Sequence, residues 1–214
     1  MPLLTRRSLF SLVFLSCLSI TATTAIAQSN PDGYETLTTP VAVNPATAES
    51  GNVEVVEFFW FGCPHCFNFE PSINEWNESK PDYVDFVREA PPFNPSWLPH
   101  SQAFYAAKVL GVTDVMFEPF FNAIHIERQP LRDAESISDF VATLGIDSEQ
   151  FLSAMKSREV QVLIEQSLEL AIEVGVRGVP SVLINGKYMT SNSIAGGHDQ
   201  IIQAINTLTE QEKK

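Results

Sequence analysis

Two cysteines, Cys63 and Cys66, stand two residues apart where a strand-like run gives way to a helix-like one. No other feature restricts the possible folds of the chain as strongly. The run VEVVEFFWF at 53–61 is rich in valine and aromatic residues and closes at Gly62, the pattern of a buried strand. From Cys63 the pattern turns helical, through Phe67, Ile73 and Trp76 to a polar tail ending at Lys80. Pro71 falls inside that helix and predicts a kink there. On a first helical turn, positions i and i+3 lie about 5 to 6 Å apart, which a disulfide can bridge. The first thiol then faces unpaired N–H groups and the positive end of the helix dipole. Both favour a thiolate and lower its pKa from the ordinary value of about 8.5.

Two other uses of such a pair are weaker. As a structural staple it closes a four-residue loop, restricting the unfolded chain by only about 2 kcal/mol, against nearly 5 for a long loop. As half of a zinc site it lacks partners, because zinc takes four ligands and His65, His100, His125 and His198 are scattered. Redox exchange fits the pair best. Each pKa unit by which the thiolate is lowered stabilises the reduced form by about 1.4 kcal/mol, so a site that strongly favours its thiolate is a strong oxidant. His65 can donate to that thiolate or set a positive charge beside it. Pro64 removes a competing N–H and presets the turn into the helix.

The compartment follows from the N-terminus. Arg6 and Arg7, an apolar-to-small run from Leu9 to Ile20, and Ala25-Ile26-Ala27 together predict an export signal over 1–27, cleaved before Gln28. The run is too short to span a bilayer. TRRSLF raises the twin-arginine route, but the general secretory route fits the displaced apolar residues better. Cys17 belongs to the discarded segment, which leaves Cys63 and Cys66 as the thiols of the mature chain. Cleavage removes two arginines and no acid, taking 13 Lys+Arg to 11 against 26 Asp+Glu, a net charge of −15. Such a surface disfavours nucleic acid and anionic membranes as partners.

Residues 28–51 read as an extended lead-in with at most a short edge strand near Glu35–Leu37. YVDFVREA at 83–90 predicts a second strand. The four prolines of PPFNPSWLP at 91–99 leave no room for a regular element. Helical stretches occupy 100–158, with Gly111 and Gly145 placed as C-terminal glycines and Asp133 and Asp147 as N-caps. A longer helix at 159–173 leads to GVRGVPSVLINGKYMT, read as loop, strand, Asn185-Gly186 turn and strand, and then to an amphipathic helix carrying Ile201, Ile202, Ile205 and Leu208. A β-α-β half and an α-β-β-α half enclosing helices make an α/β architecture with an inserted lobe.

These residues resemble the thioredoxin-fold disulfide oxidoreductases, and within them the DsbA-type proteins. Cys63-Pro64-His65-Cys66 matches that branch's dipeptide, Pro71 its helix proline, RGVPSVLINGKY at 177–188 its cis-proline loop and hairpin, and the helical block its insertion. The similarity runs from about residue 35 to the end. It implies a thioredoxin fold with an inserted all-helical domain, made of a lead-in at 28–50, a thioredoxin-like domain at 51–97 and 159–214, and a helical domain at 98–158. It implies a monomeric periplasmic enzyme that gives its disulfide to reduced, unfolded exported proteins and is reoxidised by a DsbB-type quinone-linked membrane protein, without metal or other cofactor. Cys63 is implied as the attacked sulfur and Cys66 as its buried partner. Pro180, after a cis bond from Val179, is implied to lie against the pair, with the Val179 backbone and His65 meeting substrate. Glu57 and Glu70 match positions where the family buries carboxylates, either as a proton relay or as ordinary acids. Arg88 stands where some relatives have a lysine. Alternative uses of the same chain are a disulfide isomerase or reductase, and a peptide-binding chaperone with an incidental pair.

Overall fold

A computed structural model describes Asn30 and residues 32–213. The export signal expected over 1–27, with Cys17 in it, lies outside the described residues. The elements run β1 (Glu35–Thr36), α1 (Pro45–Ser50), β2 (Val53–Phe58), α2 (Pro64–Ser79), β3 (Val84–Glu89), a 3-10 turn (Pro95–Trp97), α3 (Leu98–Leu110), α4 (Thr113–His125), α5 (Ala134–Thr143), α6 (Ser148–Met155), α7 (Arg158–Glu173), β4 (Ser181–Ile184), β5 (Tyr188–Ser191), α8 (Asn192–Ala195) and α9 (His198–Glu212). The strands form one mixed sheet in the order β1-β5-β4-β2-β3. β2 pairs parallel with β3 and antiparallel with β4. This is the expected α/β thioredoxin fold interrupted by helices.

Every residue of β2 is buried, Glu54 and Glu57 included, as in a strand covered on both faces. Val53 and Val55 join Phe69, Ile73 and Trp76 of α2 and Ile201, Ile205 and Leu208 of α9 on one side. Val56 and Phe58 meet Ala171 and Val174 at the end of α7 on the other. The alternation thus assigns the sheet one helix layer per face. Asn185 and Gly186 adopt left-handed φ values of 50° and 64°, making the tight turn between β4 and β5 that Asn-Gly predicts. At Gly186 a Cβ would lie 2.2 Å from the Val41 carbonyl, so the turn also needs a residue without a side chain.

Three local expectations change. The strand expected over 53–61 ends at Phe58: Phe59 N–H still bonds the Glu89 carbonyl, but Cys63 N–H then closes a turn on the Trp60 carbonyl, and Phe59 and Phe61 pass into the core of the helical lobe. The lead-in contains α1, capped by Asn44 accepting from Ala46 N–H, opened by Pro45 and closed by Gly51 at φ 76°. The Asn-Pro pair is a helix-start signal that the Pro and Ser content of the segment masked. The proline-rich stretch holds the 3-10 turn and the start of α3, because Pro95 and Pro99 sit in first turns, where a missing N–H costs nothing. Helix α2 contains Pro71, as expected, and extends to Ser79.

Candidate active site

The redox pair sits where β2 hands over to α2. Gly62 permits this turn: a Cβ there would lie 2.3 to 2.6 Å from the Trp60 indole, which folds over the backbone and stacks on Trp97 at 4.3 Å and 6°. Cys63 is the N-cap of α2 and Pro64 opens the helix, so Cys66 falls one turn in. Burial separates the two sulfurs. Cys66 is fully buried, while Cys63 keeps 7% of its surface and Pro64 and His65 are exposed beside it.

The same geometry sets opposite acidities. The Cys63 thiol is pulled down to about 6, first by a hydrogen bond from Cys66 and then, against the opposing effect of burial, by the N–H groups of Cys66 and His65 and the charge of His65. The Cys66 thiol is pushed far above the ordinary range by burial, by its hydrogen bond to Cys63 and by the Cys63 charge. A thiolate therefore forms on the accessible sulfur and is suppressed on the inner one.

Across the pair lies the loop before β4. The Val179-Pro180 bond is cis, at the position the sequence marked. Cys63 Sγ donates to the Val179 carbonyl at 3.4 Å, bringing together residues 116 positions apart. A cleft of about 800 Å³ opens alongside, lined by His65, Val176, Arg177, Val179, Pro180 and His198 among others. The backbone of 176–180 thus borders both the outer sulfur and an open groove.

Beneath Cys66 the acids come together on one arginine. Arg88 Nε donates to Glu57 Oε2 at 2.8 Å, and its Nη2 reaches Glu70 Oε2 at 3.2 Å and Asn74 Oδ1 at 2.7 Å. Glu57 is fully buried and Glu70 8% exposed. One cation shared between two carboxylates cannot keep both ionised in a buried setting. Burial accordingly raises both: Glu57 upward despite Arg88, and Glu70 to about 8, helped by the Glu57 charge. Glu57 Oε1 and Glu70 Oε1 are buried without a protein partner, and the Glu57 charge adds to the rise at Cys66. The arrangement can hold a proton on an acid pair whose Glu57 charge is felt at the inner sulfur.

The structure thus places Pro64, His65 and the Val179-Pro180 loop beside the cysteines and gathers Glu57 and Glu70 on Arg88, which bridges both acids. Sequence reasoning missed two partners: Asn74, which orients Arg88 and Glu70, and His125, which touches the turn before Cys63. Asn74 lies four residues after Glu70, a helical spacing that was readable. No spacing links His125 to residue 61. Among the described residues no group of histidine, cysteine and acid side chains has a metal-binding arrangement.

Comparison with known proteins gives one consistent result. Residues 54–201 match a family described as the DSBA-like thioredoxin domain. The thiol:disulfide interchange protein DsbA of Burkholderia cepacia is 36% identical over 200 residues, covering 91% of this chain and 93% of that protein. DsbA of Pseudomonas aeruginosa is 38% identical over 180 residues, covering 84% and 83%. A crystal structure of Pseudomonas aeruginosa DsbA superposes with a TM-score of 0.78 at 39% identity over 86% of this chain and 97% of that one. DsbA of Xylella fastidiosa superposes with a TM-score of 0.77 at 26% identity over 84% and 95%.

Proposed function

Because the chain belongs to the DSBA-like thioredoxin domain family and is a thiol:disulfide oxidoreductase, we propose that it works as an oxidase, giving the Cys63–Cys66 disulfide to reduced, unfolded exported proteins in the periplasm. The observation that carries this reading is the asymmetry of the pair: the accessible sulfur favours its thiolate and the buried one resists it. A Cys63 thiolate of low pKa stabilises the reduced pair, which makes the disulfide easy to reduce and the protein a strong oxidant.

The reaction balances as two exchanges. A substrate thiolate attacks Cys63 Sγ, the bond to Cys66 breaks, and the electron pair and a proton go to Cys66. A second substrate thiolate then attacks the substrate sulfur of the mixed disulfide, and Cys63 leaves as a thiolate. The substrate loses two electrons and the pair gains them. In this reading the proton for Cys66 is held by Glu57 and Glu70, with Arg88 setting their affinity. The Val179 backbone and Pro180 align an extended substrate beside Cys63 by strand-like bonding, and His65 and the adjoining cleft receive its flanking residues. Reoxidation falls to a DsbB-type quinone-linked membrane protein, and the working unit is a monomer. Residues 51–97 and 159–214 form the redox domain and 98–158 the helical domain that covers it.

A reduced peptide with two cysteines tests the assignment of the sulfurs. The wild-type chain is expected to oxidise it stoichiometrically, and Cys63→Ser to leave it reduced. A Cys63→Ser variant that still oxidised the peptide would overturn the assignment.

A further inference from the structure

The turn that aims Cys63 is held from outside the sheet. Phe61 is fully buried, so its carbonyl requires a donor from the protein. His125, at the last turn of α4, places Nε2 2.7 Å from that oxygen. A carbonyl only accepts, so Nε2 carries the proton, whether the ring is neutral or cationic. The same ring lies flat on Phe67, with centroids 4.8 Å apart and planes at 16°. One side chain of the helical lobe thus grips the residue two before Cys63 and the residue one after Cys66.

We propose that His125 is a positioning residue for the redox reaction: its bond to the Phe61 carbonyl holds the turn in the one orientation that sets Cys63 Sγ over the first turn of α2, and its stack on Phe67 orients the ring for that bond. This inference rests on Cys63 being the exchanging sulfur. Physically, the Phe61-Gly62 peptide is the hinge of the turn, and glycine can rotate where other residues cannot. With no donor from α4, a buried carbonyl would turn to find another partner. Cys63 would swing with it, away from the N–H groups of His65 and Cys66 and from the Cys66 thiol that stabilise its thiolate. The stack on Phe67 fixes the ring against the helix, so the lobe and the start of α2 move together. His100 anchors the lobe beside it, bonding the Leu131 carbonyl at 2.9 Å while packing against Trp60 and Phe61.

Two variants separate the hydrogen bond from the packing. His125→Phe keeps a ring for Phe67 and removes the donor; His125→Gln removes the ring and keeps an N–H of similar reach. The readouts are the thiolate absorbance titration of Cys63 and the equilibrium constant with glutathione. His125→Phe is expected to raise the Cys63 midpoint and weaken the oxidant at least tenfold, about 30 mV for this two-electron couple. His125→Gln is expected to stay within about threefold of wild type, since it keeps the bond. A wild-type equilibrium in His125→Phe, or a Gln variant as weak as the Phe variant, would overturn the proposal. Nitrogen NMR of the unmodified reduced protein gives a test that needs no variant: His125 is expected to keep its proton on Nε2 at pH 8, and an Nδ1-protonated neutral ring would contradict the assignment. The variants are judged against wild type, so a weakly oxidising wild-type pair would defeat the proposed direction of reaction without deciding the role of His125.

Discussion

At Cys63 the partner thiol, two backbone N–H groups and His65 all favour the charged sulfur, and burial alone opposes them. The consequence for stability has a definite sign. A thiol brought from 9.0 in the unfolded chain to about 6 in the folded one stabilises the reduced protein. That contribution is complete above pH 9 and is lost as the pH falls through 6. Its full size is on the order of 4 kcal/mol. The oxidised protein has no such group, so the stability of the reduced form relative to the oxidised form is expected to climb between pH 6 and 9. Parallel urea unfolding of the two forms measures it, and a difference independent of pH would refute the Cys63 assignment. Using the difference between forms also cancels most of the effect of Glu70, whose raised pKa of about 8 stabilises the fold below pH 4.5 and loses that contribution as the pH rises to 8.

Three elements meet at Arg88: Glu57 comes from β2, Glu70 and Asn74 from α2, and Arg88 itself from β3. The guanidinium also lies over the Phe117 ring of α4 at 4.4 Å, so the sheet, the redox helix and the inserted lobe share one cation. Removing it strands a fully buried carboxylate. Arg88→Met is expected to cost about 3 to 5 kcal/mol in urea unfolding at neutral pH, with much of the loss recovered in Arg88→Met/Glu57→Gln. A single variant within 1 kcal/mol of wild type would contradict the shared-cation account. The elements themselves were largely legible in the sequence, because strand alternation, Asn185-Gly186 and the caps Asp133 and Asp147 act over a few residues. Their partners were less so. The bridge from Arg88 to Glu57 spans 31 positions and the bond from His125 to Phe61 spans 64, and no local pattern encodes either. The end of β2 at Phe58 was misread for the same reason: Phe59 and Phe61 look like strand residues, yet they serve a core built by distant helices.

Over the whole molecule, that core unites the redox pair with the inserted helices. Cys63 and Cys66 belong to the same buried cluster as Phe104, Phe117, Phe120, Phe121 and Phe140 of the lobe, and Phe61 packs 4.5 Å from Phe120. The sequence has 15 phenylalanines, and composition does not say that many of them gather behind the active-site turn. Such an apolar backing excludes water from Cys66 and leaves only Cys63 open to exchange, so fold and chemistry converge on one property, the oxidising strength of the pair. Equilibration of the full chain with glutathione mixtures measures that property directly. The pair is expected to become half reduced while the glutathione is still mostly in its disulfide form. A pair that stayed oxidised in a mostly reduced mixture would contradict the account.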